Sequence, residues 1–143
     1  MSSGAASEPR KTLRMMILDD EPIVCKRLKP TFQKMGYIVE TFTDSSQAME
    51  RLQSSHFDVV ITDLKMEGAD GIQVLATAKS ASEETQVIII TGFATSDTAK
   101  ESYAKGAVEF IAKPFKIGDI VACVQRLEKQ RHGRSSSAAS PTA

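Results

Sequence analysis

An α/β fold on a doubly wound, five-stranded parallel sheet is what this sequence predicts, and three observations carry the prediction. Short apolar runs of strand length alternate five times with segments of helical periodicity. The runs are rich in β-branched residues and close on turn residues, as buried strands do when they empty into loops. Polar groups gather where the runs stop: Asp19, Asp20, Asp63, Thr91 and Lys113. In open α/β sheets, ligands bind outside the carboxyl ends of the strands.

Length and composition bound the answer. The chain has 143 residues, enough for one domain with a core that needs no staples. Lys plus Arg equals Asp plus Glu at 18 each, so no bulk pull toward nucleic acid or an anionic membrane is expected. There is no basic patch or helix-turn-helix to bind nucleic acid directly, and no membrane span or signal-peptide pattern. Two cysteines, Cys25 and Cys123, make no metal knuckle or disulfide framework. Both are expected to stay reduced, which fits a cytoplasmic protein.

Residues 1–9 are small and polar, and residues 1–11 read as a disordered lead-in. Leu13 to Leu18 forms the first strand and ends in Asp19, Asp20 and Glu21. Pro22 opens a helix with Val24, Leu28, Phe32 and Met35 on its apolar stripe, stopping at Gly36. Pro30 sits inside that helix and is expected to kink it; nothing in the sequence explains it. Tyr37 to Phe42 is the second strand. Asp44 caps the next helix, with Gln47 as the reciprocal partner of a capping box, and the helix runs to about Ser54.

Phe57 to Asp63 is the third strand, and its loop closes at Gly71. The helix that follows turns Ile72, Leu75 and Ala76 inward. Val87 to Ile90 is the fourth strand, ending in Thr91 and Gly92. Thr95 or Ser96 caps the next helix, which ends at Gly106. Ala107 to Ala112 is the fifth strand, ending in Lys113 and Pro114. The last helix carries Ile117, Ile120, Val121, Val124 and Leu127 along one stripe, though Lys116 is a poor cap and Gly118 weakens the first turn. Residues 131–143 hold no core-forming side chains and read as a disordered tail or truncated linker. The single domain thus spans residues 12–130.

Each polar strand end has an ordinary explanation alone, as a helix cap, a loop acid, a turn residue or a solvated charge. Together they are three carboxylates, one hydroxyl and one ammonium on one edge. Crowded carboxylates repel unless a cation joins them. Mg²⁺ meets that need, binding through carboxylates while keeping waters and taking phosphate oxygens. Lys113 suits a phosphoryl oxygen, and Asp63 is left as a carboxylate able to attack phosphorus.

The motifs ILDDEP (Ile17 to Pro22), VVITDLKMEGADG (Val59 to Gly71), IIITG (Ile88 to Gly92) and EFIAKPF (Glu109 to Phe115) resemble those of the receiver domains of two-component response regulators. TGFATSD and AKGAVEFIAKPF are similar to receivers of the nitrogen-regulation type. The resemblance covers about residues 12–130. It implies a flavodoxin-like fold with strand order 2-1-3-4-5. It implies that Asp63 accepts a phosphoryl group from a histidine kinase or phosphotransfer protein. Mg²⁺ would be held by Asp19, Asp20, Asp63 and the backbone carbonyl of Lys65. Thr91 and Lys113 would bind phosphoryl oxygens, with Thr91 and Phe110 as switch residues. It implies a cis Lys113–Pro114 peptide, which would aim the lysine back over the sheet edge.

The expected role is a phosphorylation-controlled binding module, not an enzyme. It would act on an unidentified downstream protein through the fourth helix, fifth strand and fifth helix; a phosphorylation-dependent homodimer is the other expected partnership. Two alternatives stand beside it. An aspartyl-phosphate phosphohydrolase needs a second acid two residues after the nucleophile, where this chain has Lys65. An interaction-only receiver would not need the intact Asp19, Asp20, Asp63, Thr91 and Lys113. One departure from the family pattern is Glu67, where proline is usual; it adds negative charge to the loop after Asp63.

Overall fold

The computed structural model describes residues 12–66 and 70–137, with side chains to residue 130. The expected lead-in, Glu67 and the end of the expected tail lie outside the described residues. The elements alternate as predicted: β1 Arg14–Leu18, α1 Pro22–Lys34, β2 Ile38–Phe42, α2 Ser45–Ser54, β3 Val59–Asp63, α3 Gly71–Ala81, β4 Gln86–Thr91, α4 Ser96–Ala104, β5 Glu109–Ala112 and α5 Ile117–Ser137. All pairings are parallel, in the order β2-β1-β3-β4-β5. The order reverses between β1 and β3, so the ends of those strands flank the crevice where ligands of such sheets sit.

Successive strand residues face opposite sides, and each side is buried under helices. Met15, Ile17, Val59, Ile61, Ile88 and Ile90 pack with α1 and α5 through Leu28, Phe32, Ile120 and Val124. Met16, Leu18, Val60, Val87 and Ile89 pack with α2 and α3 through Ala48, Leu52, Val74 and Leu75. Cys25 and Cys123 are free buried thiols in the first of these cores. Helix α4 is held differently, for its only buried residue is Ser102.

Three helical stripes are phased differently from the sequence reading. Met35 is exposed because α1 ends at Lys34 and Met35 is its C-cap. In α3 the buried positions are Gly71, Val74, Leu75 and Ala78, with Ile72 partly buried; Ala76 faces solvent. That set follows the helical period, and Ala76 falls one residue, about 100°, beyond Leu75. In α5, Cys123 joins the buried stripe while Ile117 and Val121 are only partly buried. Helix α5 also continues to Ser137, beyond the expected boundary at 130.

The helix ends follow local chemistry. Asp44 caps α2, but its side chain accepts from the Ser46 amide at 2.8 Å, so the reciprocal bond with Gln47 does not form. Complete capping boxes occur instead at Asp70–Gln73 and Thr95–Thr98. Asp119 supplies an acid to the first turn of α5, offsetting the poor cap at Lys116. Gly36 and Gly106 take φ of 96° and 110° just after α1 and α4, where a side chain would be strained. Helix α1 runs through Pro30, which is exposed, and the ring lacks the N–H that the Lys26 carbonyl would otherwise receive.

An ion network closes the base of the β1–β2 edge. Glu40 accepts from Arg51 Nε and Nη2 at 2.8 and 2.9 Å and from Arg14 Nη2 at 3.1 Å. Both guanidinium groups lie over the Phe57 ring, that of Arg14 5.0 Å and that of Arg51 6.0 Å from its centre. The hydrogen bonds from Arg51, then those from Arg14, outweigh partial burial and hold the Glu40 carboxyl below its ordinary 4.5. A depressed carboxyl stabilises the fold above its unfolded value and loses that contribution as pH falls through the folded value. Glu40→Gln is therefore expected to cost about 1 kcal/mol in urea unfolding at pH 7. The gap from wild type should close below about pH 4.

Candidate functional site

The site stands on the carboxyl edge of the sheet. Asp19 follows β1, and its amide donates to the Phe42 carbonyl at 3.1 Å, which ties it to the end of β2. Asp63 is the last residue of β3, and Thr91 the last of β4. The Lys113 amide donates to the Thr91 carbonyl at 2.8 Å, and Lys113–Pro114 is cis, as the resemblance implied. So the sheet register brings four separated sequence positions to one edge.

Gly71 sets how closely α3 approaches this edge. Its amide donates to the Leu64 carbonyl at 2.7 Å. A Cβ there would press on the Asp63 carbonyl oxygen and come within 2.7 Å of the Leu64 Cα. Both obstacles are backbone and cannot turn aside. Gly71→Ala is expected to cost about 1–3 kcal/mol by chemical denaturation, and to broaden or shift the NMR signals of Asp63 and Leu64.

Asp19, Asp20 and Asp63 each present a carboxylate oxygen within 4.8 Å of the others. Asp19 and Asp63 are buried and Asp20 is exposed, so the cluster opens on one side. The Lys113 ammonium sits among these acids. It donates to Asp63 Oδ2 at 2.9 Å and to Glu21 Oε1 at 2.8 Å. Asp19 Oδ2 is also 2.9 Å away, but that contact is an ion pair without hydrogen-bond alignment. Asp19 Oδ2 is therefore buried with no hydrogen-bond partner.

Burial pushes the Asp19 carboxyl up, against the Glu21 amide and Lys113, which pull it down. Burial alone would lower Lys113, but hydrogen bonds to Glu21 and Asp63 and the charge of Asp19 beside it raise it, so the ammonium stays charged. Glu21 is held below its ordinary value by its bond with Lys113.

The donor set fits a hard divalent cation. Mg²⁺ takes oxygen ligands at about 2.1 Å, which spaces them roughly 3–4 Å apart. Three carboxylate oxygens within 4.8 Å need only small adjustments for that. The buried Asp19 Oδ2 makes no hydrogen bond and has only the Lys113 ammonium beside it, so a divalent cation would give it a ligand bond it lacks.

The remaining expected residues surround this centre. Thr91 is buried, and its Oγ1 accepts from the Phe93 amide at 3.0 Å. The Lys65 amide donates to Asp63 Oδ1 at 3.3 Å. The Lys65 ammonium lies 6.0 Å from the centre of the exposed Phe93 ring, so the β3–α3 and β4–α4 loops meet over the site. Phe110 is half-buried on β5, its ring 6.5 Å from that of Tyr103 on α4. The residue sequence reasoning missed is Glu21. The only signal was its place beside Asp19 and Asp20, and adjacency does not say which way a side chain turns.

The profile of the response regulator receiver domain matches residues 15–125. The chain is 33% identical over 113 residues to sporulation initiation phosphotransferase F of Bacillus subtilis, covering 79% of this chain and 91% of that one. It is 30% identical over 121 residues to the transcriptional regulatory protein QseB of Haemophilus influenzae, covering 85% of this chain and 55% of that one. The chain thus spans about half the length of the first curated relatives it matches. NtrC-type regulators are among the relatives as well. Among solved structures, the beryllofluoride-activated NtrC4 receiver domain dimer superposes with a TM-score of 0.74 at 29% identity, over 79% of this chain and 93% of that one. Fold, edge geometry and these likenesses agree: the chain belongs to the response regulator receiver domain family, the signalling domains of two-component systems.

Proposed function

We propose that residues 12–130 form a receiver whose phosphoacceptor is Asp63, loaded by a histidine kinase or phosphotransfer protein. The observation that carries this reading is the placement of a buried Asp63 carboxylate 2.9 Å from the Lys113 ammonium and within 4.8 Å of two further acids. A carboxylate oxygen of Asp63 attacks phosphorus; the new P–O bond forms as the P–N bond of a donor phosphohistidine breaks. The proton for the leaving imidazole comes from the donor side or solvent. Lys113 supplies positive charge to one phosphoryl oxygen, and Thr91 can turn its hydroxyl hydrogen toward another. Asp19, Asp20, Asp63 and the Lys65 carbonyl would hold Mg²⁺, whose charge, when bound, neutralises the phosphoryl oxygens.

Output runs through α4, β5 and α5. Helix α4 buries only Ser102, so few contacts resist its displacement. Phe110, half-buried on β5 with its ring 6.5 Å from that of Tyr103, turns inward once Thr91 turns to the phosphoryl group. The phosphoryl group biases a two-state equilibrium of this face, which then meets a downstream protein or a second copy of this chain. Two buried free thiols suit work in the cytoplasm. The phosphohydrolase alternative loses ground because Lys65, not an acid, stands two residues after Asp63.

The test is direct. Incubated with Mg²⁺ and acetyl phosphate, the protein should gain one phosphoryl mass, on the peptide containing Asp63. Chelation of Mg²⁺ or Asp63→Asn should abolish the gain. Labelling of Asp63→Asn at the wild-type rate would refute the assignment.

A further inference from the structure

We propose that Glu21 is a positioning residue for the reaction at Asp63: it gives the Lys113 ammonium an acceptor at the mouth of the site, on which the ammonium stays when a divalent cation takes Asp19 and Asp63 from it. The proposal rests on the reading of Asp63 as phosphoacceptor and goes one residue beyond the set that reading uses.

Glu21 occupies the N-cap of α1, where a short Asp, Asn, Ser or Thr would satisfy a helix amide. Its side chain makes no capping bond. It reaches instead across the site to Lys113, 92 positions away in sequence, with Oε1 2.8 Å from the ammonium nitrogen. The Glu21 main chain is fixed at the same place, because its amide donates to Asp19 Oδ1 at 2.9 Å and its carbonyl accepts from Val24 at 3.0 Å. Glu21 is thus anchored to one member of the acid cluster while its carboxylate holds the cation that neutralises the cluster.

An ammonium has three hydrogens to donate. Here three carboxylates lie within 2.9 Å of it, from Glu21, Asp63 and Asp19. They differ in depth. The side chains of Asp19 and Asp63 are 0% and 7% exposed, and that of Glu21 is 60% exposed. Glu21 therefore pulls outward, while the two aspartates pull inward. A divalent cation at Asp19, Asp20 and Asp63 repels the ammonium and takes over its two inner partners. Glu21 is the acceptor that remains, and it keeps Lys113 beside the position where phosphoryl oxygens arrive. Without Glu21, Lys113 stays on Asp19 and Asp63 and competes with the cation.

The experiment is calorimetric titration with Mg²⁺ alone on four proteins: wild type, Glu21→Gln, Lys113→Met and the double variant. Acetyl phosphate uptake is followed in wild type and Glu21→Gln. Glu21→Gln should weaken Mg²⁺ binding about threefold to tenfold and slow uptake by a similar factor, the scale of coupling between residues in contact. In the Lys113→Met background the same substitution should change Mg²⁺ affinity by less than about twofold, because the partner it acts through is gone. Equal weakening in both backgrounds would mean Glu21 is only an added negative charge, and would overturn the proposal. So would wild-type Mg²⁺ affinity in Glu21→Gln. Should Lys113→Met fail to fold, Glu21→Asp replaces it: this keeps the charge but loses one methylene of reach. Positioning then predicts a loss near that of Glu21→Gln, and charge alone predicts wild-type affinity. A wild-type protein that neither binds Mg²⁺ nor takes label refutes the reading of Asp63 itself. One that does both, with indifferent Glu21 variants, refutes only this inference.

Discussion

Once loaded, the phosphoryl group is expected to persist far beyond seconds, and the double variant Lys65→Asn, Phe93→Glu to shed it on the order of 10²-fold faster. An acyl phosphate is lost when water attacks phosphorus in line, from the side opposite the Asp63 oxygen. The resemblance to receivers puts the side chains two residues after Asp63 and two after Thr91, here Lys65 and Phe93, beside that approach. Lys65 is tied to Asp63 through its amide, at 3.3 Å, and Phe93 to Thr91 through its own, at 3.0 Å. Their side chains meet, with the Lys65 ammonium 6.0 Å from the Phe93 ring centre, within the range of a cation–π contact. Neither can activate a water. Phe93 has no acceptor, and a charged lysine is donor-only. An amide at 65 and a carboxylate at 93 restore groups that orient water or take its proton. The measurement is loss of label after the donor is removed, with Mg²⁺ present. A wild-type lifetime of seconds contradicts the prediction, as does a double variant that decays no faster.

Removing the ammonium at the centre of the site should expose what it balances. Lys113→Ala takes away the cation that lies 2.9 Å from both Asp19 and Asp63. Breaking a buried ion pair from one side costs about 3–5 kcal/mol. This pocket opens to solvent through the exposed Asp20, so a loss of about 2 kcal/mol is expected without metal. Mg²⁺ should recover much of that loss, because it supplies the missing charge and binds only the folded state. It should also bind the variant more tightly than wild type, having no ammonium to displace. Urea unfolding with and without Mg²⁺ reads both effects. A variant as stable as wild type in chelator would show that the ammonium balances nothing. An equal Mg²⁺ increment in both proteins would show that the two cations do not compete.

Much of this site is legible in the chain because a strand is a local object. A run such as Val59 to Ile61 alternates sides and must be largely apolar on both when helices cover both faces, so an acid or other polar group where the run stops is conspicuous. Asp19, Asp63, Thr91 and Lys113 were visible for that reason. Helix phase was less legible. The stripe of α3 runs through Gly71, Val74, Leu75 and Ala78, and an alanine is small enough to suit either side, so Ala76 gave no signal of facing out. Met35 misled because an apolar residue at the right spacing still falls outside a helix that ends one residue earlier.

Periodicity and strand-end chemistry, which act over a few residues, were enough to specify an alternating α/β chain and the identity of its polar edge. Contacts between distant residues were decided only when the sheet closed. The approach of Gly71 to the Asp63 carbonyl depends on how α3 packs back onto β3. The meeting of Lys65 with Phe93 depends on two loops from neighbouring strands. The bond from Lys113 to Glu21 joins the end of β5 to the start of α1. In each case the direction of a backbone chooses the partner, and for Lys113 so does competition among three carboxylates. Those are properties of the packed sheet, because no local pattern of residue types records which acceptor will lie nearest.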